Sequence, residues 1–89
     1  MFFVYILKSQ IDGSYYKGFS EDPIKRLKSH NNKESSYTSN KVPWDLVFIQ
    51  SYESKKAALV REKKLKKYSH EQIEQLILSK LNQIGRSAG

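Results

Sequence analysis

The sequence predicts an α+β domain: a small three-stranded antiparallel sheet flanked by helices, in the order ββαβαα. Three observations carry this. Two runs of aromatic and β-branched residues flank an Asp-Gly turn near the start. A third such run lies mid-chain, and three segments open with helix-capping residues. Runs of strands followed by helices, without a regular βαβ alternation, place helices against an antiparallel sheet.

In chain order, FFVYILKS (residues 2–9) is apolar on both faces, with Phe3, Tyr5 and Leu7 on one and Phe2, Val4 and Ile6 on the other, so it predicts a central strand. Asp12-Gly13 then signals a hairpin turn into YYKGF, where Tyr15 and Tyr16 point to opposite faces. Register is open. A tight Asp-Gly turn sets Tyr5 opposite Ser20, and a longer loop sets it opposite Tyr16. Gly18 removes a side chain where a backbone or a phosphate can come close.

Asp22-Pro23 caps and starts a helix running to about His30, with Ile24 and Leu27 as its inward stripe. NNKESSYTSNKVP is a polar loop, and WDLVFIQSY is the third strand. Ser54 caps a helix over KKAALVREKKLKKY. Ser69 and Gln72 form a capping box for HEQIEQLILSKL, whose stripe is Ile73, Leu76, Ile77 and Leu81. Residues 1–81 are expected to form one domain and 82–89 a frayed tail.

Composition narrows the function. The absence of cysteine in 89 residues excludes disulfides, thiol nucleophiles and cysteine-bound zinc, and fits a reducing compartment. Neither a secretory leader nor a membrane span is expected, so the cytoplasm is the expected location. Sixteen Lys and Arg against nine Asp and Glu give +7, an excess that favours polyanionic partners and nucleic acid first.

Arg26 and His30, four apart on one helix face, can meet a phosphate together; surface solvation is the plainer reading for such a pair. Glu62 is the one acid in a segment carrying Lys55, Lys56, Lys63 and Lys66. It lies at the edge of the buried stripe, where an ion pair with Lys66 competes with a metal or catalytic role. A tyrosine is an unusual base, since its ordinary pKa is about 10 and cations must lower it.

Together these segments resemble the GIY-YIG nuclease family, in particular its small stand-alone bacterial members. FVYIL stands where the first motif occurs and YKG where the second does, and DPIKRLKSHN and REKKLKKYSHEQIEQLI resemble the family's first helix and its glutamate helix. Phe3, Val4 and Lys17 depart from the name motifs without removing a reactive group. The resemblance implies a metal-dependent DNA endonuclease, of use in DNA repair or recombination. Tyr5, Tyr16, Arg26, His30 and Glu62 would be its catalytic residues, and Glu62 would hold Mg²⁺ or Mn²⁺. Lys17, Lys55, Lys56, Lys63 and Lys66 would grip the backbone of DNA, or of structured DNA or RNA. The alternative is a non-catalytic nucleic-acid-binding module of the same fold.

Overall fold

The computed structural model describes residues 1–84. Among them the chain forms three strands, β1 (Phe2–Ser9), β2 (Tyr15–Ser20) and β3 (Trp44–Tyr52), and three α-helices, α1 (Pro23–Asn31), α2 (Lys55–Leu65) and α3 (His70–Ile77). A short 3-10 turn, Ser39–Lys41, precedes β3. The sheet is antiparallel in the order β2-β1-β3, so the strand that is apolar on both faces is the central one. Among these residues no helix is long and apolar enough to cross a membrane.

Alternation along β1 separates two cores. Val4 and Ile6 join Phe48, Ala58, Leu65 and Ile73 under α2 and α3. Tyr5 and Leu7 join Trp44 on the other face, where Leu27 of α1 packs. A bulge in β3 serves both: Ile6 pairs with Phe48 and Leu7 with Leu46, so Val47 is the extra residue and its neighbours face opposite cores. Tyr15 and Tyr16 divide in the same way, Tyr15 to the first core and Tyr16 to the second.

The hairpin adopts neither expected register. Tyr5 pairs with Gly18 and Leu7 with Tyr16. Residues 10–13 form the loop, closed by the amide of Ser9 donating to the Ser14 carbonyl at 2.9 Å and that of Gly13 to the Ser9 carbonyl at 3.0 Å. Gly13 has φ 74°, the left-handed conformation such a loop end requires. Asp12 accepts from the Ser14 amide at 3.0 Å and lies 3.3 Å from Lys41. Its bonds with the Ser14 hydroxyl and amide, with Lys41 adding less, hold its carboxyl down at about 2.

Helix boundaries follow local hydrogen bonding. Asp22 caps α1 through the Lys25 amide, Ser54 caps α2 through the Ala57 amide, and Ser69 with Gln72 completes the capping box of α3. The inward face of α1 differs from expectation: Ile24 is 52 % exposed, while Pro23 and His30 are buried and Leu27 packs on the second core. Helix α3 ends a turn before the periodicity does. The Ser79 hydroxyl donates to the Leu76 carbonyl at 2.7 Å, and Leu81 is left exposed.

Asn82 and Gln83, which the sequence places in a frayed tail, instead cover the outer edge of β3. Asn82 Nδ2 donates to the Val47 carbonyl at 2.8 Å, and the Gln83 amide to that of Ile49 at 2.9 Å. Residues 85–89 of that expected tail lie outside the described residues.

Gly18 is constrained by its partner. A Cβ there would stand 2.5 Å from both Cζ and Oη of Tyr5, so the Tyr5 ring lies directly over bare backbone. Gly18→Ala should destabilise the protein by about 1–3 kcal/mol through overpacking. In a Tyr5→Ala background the same change should be nearly neutral. Urea unfolding of the four proteins checks this coupling; equal costs in both backgrounds would show that the contact does not govern the site.

Candidate functional site

The face of the sheet beneath α1 gathers most of the candidate residues. Tyr5 comes from the central strand, Tyr16 from β2, and Arg26 and His30 from successive turns of α1. The Tyr5 and Tyr16 ring centroids are 6.3 Å apart, and His30 lies 4.7 Å from Tyr16 and 6.5 Å from Tyr5. Tyr5 Oη is 3.4 Å from His30 Nε2.

His30 is fully buried, contrary to the surface reading, because position 30 continues the Pro23–Leu27 face into the second core. A buried imidazole needs partners. Its Nδ1 finds Thr38 Oγ1 at 2.9 Å, a residue that sequence reasoning passed over as part of a polar loop. Thr38 is itself fully buried. Its hydroxyl lies 3.5 Å from the Ser35 carbonyl, and its own carbonyl accepts from the Trp44 indole at 3.1 Å. With the Thr38 hydroxyl donating to Ser35, its lone pair accepts Nδ1–H, and Nε2 faces the Tyr5 hydroxyl as an acceptor. This arrangement satisfies every group in the chain of contacts. The only sequence signal for Thr38 is a β-branched hydroxyl eight residues beyond the histidine, too little to single it out.

The electrostatics follow from burial. Desolvation pushes the Tyr5 phenol above its ordinary 10.0; the Arg26 guanidinium beside it pulls the other way, and Tyr16 and Glu62 add smaller upward pushes. The same proximity to Tyr5 raises Arg26, which is therefore always charged. Burial, and then Arg26, lowers His30 below 6.5, so its ring is neutral near pH 7.

Glu62 stands apart from these four. It belongs to α2, on the opposite layer, and reaches the cluster as the weakest of the influences on Tyr5. Its side chain is 19 % exposed and its carboxylate lies 3.7 Å from Lys66, so the expected ion pair forms. The basic residues divide around it. Lys17 and Lys66 line a groove of about 450 Å³ with Tyr16, whereas Lys55, Lys56 and Lys63 line a second surface with Glu62 itself.

Among the described residues no cluster of three or more acidic, histidine or cysteine side chains could enclose a metal ion. A single half-buried carboxylate still fits Mg²⁺ or Mn²⁺, which keep several waters and take one or two protein carboxylates plus substrate oxygens. It does not fit zinc, which takes three or four protein ligands drawn from Cys, His, Asp and Glu.

Two tyrosines from neighbouring strands thus meet a buried histidine and an arginine of α1 on one face of a three-stranded sheet, and comparison with known proteins gives the family to which this arrangement belongs. The profile of the GIY-YIG catalytic domain matches residues 1–78, and the chain belongs to the GIY-YIG family. It is similar to a UPF0213 protein of Staphylococcus epidermidis, with 42 % identity over 71 residues covering 79 % of this chain and 85 % of that one. A UPF0213 protein of Clostridium perfringens is 42 % identical over 81 residues, covering 90 % and 86 %. The solution NMR structure of a UPF0213 protein from Bacillus halodurans superposes with a TM-score of 0.58 at 36 % identity, covering 91 % of this chain and 87 % of that one.

The depressed His30 pKa has a testable sign. Folding favours the neutral ring, so the unfolded chain binds the proton more readily below 6.5. The stability this contributes is complete above pH 6.5 and is lost as pH falls toward the lower folded value. Urea midpoints measured between pH 7.5 and 5 should fall in wild type and fall less in His30→Gln; parallel slopes would mean that His30 is not held neutral. Thr38→Val should cost about 1–3 kcal/mol by leaving Nδ1 without its partner.

Proposed function

We propose that the protein is a divalent-metal-dependent endonuclease that hydrolyses phosphodiester bonds of DNA. The observation that carries this reading is the meeting of Tyr5, Tyr16 and His30, with the Arg26 guanidinium beside Tyr5, within a domain of the GIY-YIG family. Arg26, permanently charged and beside both phenols, presents a planar fork to the non-bridging oxygens and stabilises the charge added when water attacks. Tyr5 or Tyr16 takes the proton of that water as general base. Neutral His30 offers Nε2 to the Tyr5 hydroxyl and so orients that phenol; because burial raises Tyr5 and lowers His30, ionisation of Tyr5 depends on the positive charge of Arg26 and of a bound ion.

Glu62 would hold one Mg²⁺ or Mn²⁺, which when bound neutralises charge on the phosphate and lowers the pKa of nearby phenols and water. Glu62, now paired with Lys66, would then be the ligand of the ion, and Lys66 would be available to the phosphate backbone. Lys17, Lys55, Lys56 and Lys63 grip backbone without reading sequence. A nick of this kind suits DNA repair or recombination, in the cytoplasm where bacterial DNA lies.

A non-catalytic nucleic-acid-binding module of the same fold is the second reading. The observation favouring it is the ion pair that occupies Glu62 at the margin of the cluster. Incubation of supercoiled plasmid with Mg²⁺ separates the two. Nicking should vanish in EDTA and fall roughly a hundredfold or more in Glu62→Gln, Arg26→Ala and Tyr5→Phe. Nicking that is absent in wild type, or equal in all four proteins, overturns the enzyme reading. Salt-sensitive binding retained in every variant would then leave the module.

A further inference from the structure

The loop between α1 and β3 carries a feature that hydrolysis does not use. Tyr37 is 82 % exposed, while the other five tyrosines are buried or half-buried. Leaving a large aromatic ring in water forgoes the burial that makes such residues worthwhile in a small domain. Its placement is nevertheless well defined. The amide of the next residue, Thr38, donates to the Ser35 carbonyl at 3.2 Å, and the Thr38 side chain and carbonyl are engaged by His30 and Trp44. The turn is clamped from below while the Tyr37 ring projects from it.

That ring stands beside the site. Its centroid is 6.1 Å from that of Tyr16, with the planes inclined at 53°. Tyr15, Tyr16, Lys17, Tyr37 and Lys66 together line the groove of about 450 Å³, which has room for one nucleotide. Three aromatic rings and two ammonium groups are the chemistry of a nucleotide subsite: a base stacks on a ring, and lysines meet the flanking phosphate as point charges.

We propose that Tyr37 is a stacking platform for an unpaired base one step from the scissile phosphate, with Lys17 and Lys66 on the adjoining backbone. The preferred substrate is therefore a strand with at least one unstacked nucleotide beside the cleavage point. The faces of bases inside a duplex are covered by their neighbours, so only a single strand, a gap or a splayed end can present one to the ring. This proposal rests on the nuclease reading above, and its test reads binding alone, so that the two can fail separately.

The test is fluorescence anisotropy in EDTA at low salt, with three labelled probes: a mixed-sequence single strand, an abasic strand of the same length, and a blunt duplex. Tyr37→Ala should weaken binding of the mixed strand about tenfold, equivalent to roughly 1.4 kcal/mol for one lost stack, and leave the abasic strand and duplex unchanged. Tyr37→Trp should retain wild-type affinity. An undiminished affinity of Tyr37→Ala for the mixed strand overturns the platform while the nucleic-acid reading stands. An equal loss on the abasic strand does the same, because it shows a contact with phosphate or with the fold. Wild-type protein that binds none of the probes overturns both.

Discussion

The Tyr5 ring lying over the backbone of Gly18 is the contact on which the site depends. Tyr5 is 1 % exposed and belongs to the middle strand, so it cannot move without disturbing both neighbours. Only glycine leaves room for it at the paired position. That pairing fixes the hairpin register, and the register in turn sets Tyr16 opposite Leu7, on the same face as Tyr5. A slip by one residue would carry Tyr16 to the face under α2 and α3. The two phenols are thus brought together by a packing requirement.

The same burial creates the chemical character of the cluster. Two phenols and an imidazole share the space between α1 and the sheet, with the exposed Arg26 beside Tyr5 at its edge, and desolvation there raises the phenol of Tyr5 and lowers the imidazole of His30. The two shifts leave a neutral phenol beside a neutral imidazole, and Arg26 supplies the fixed positive field. Thr38 completes the assembly from outside the helix. Through it one loop residue both orients His30 and anchors the turn that presents Tyr37. The interior chemistry and the outward-facing aromatic are therefore mechanically linked.

Glu62 marks the other side of the architecture. The two faces of the sheet are separate layers, and α2 delivers its carboxylate from the layer that holds Val4, Ile6 and Phe48. In the free protein that carboxylate is balanced by Lys66, and the surrounding lysines divide between two surfaces on either side of the pair. The ion pair that balances this acid is weak and partly exposed, worth at most about 1 kcal/mol.

The sequence by itself determined the elements and their order. β-branched and aromatic runs, the caps at Asp22, Ser54 and Ser69 and the apolar faces of β1 are local signals, written within a few residues of the structure they specify. Tyr5, Tyr16, Arg26, His30 and Glu62 were singled out as candidates by a resemblance in spacing. Tertiary structure alone decided the rest. The hairpin register was set by a clash between Tyr5 and any residue larger than glycine, which no turn rule contains. The burial of His30 in place of Ile24 was set by which side of α1 meets the sheet, and short helical stripes leave that rotation open. Thr38 and Tyr37 acquired their positions from contacts with His30, Trp44 and Tyr16, far apart along the chain, and such long-range pairings have no periodicity to reveal them.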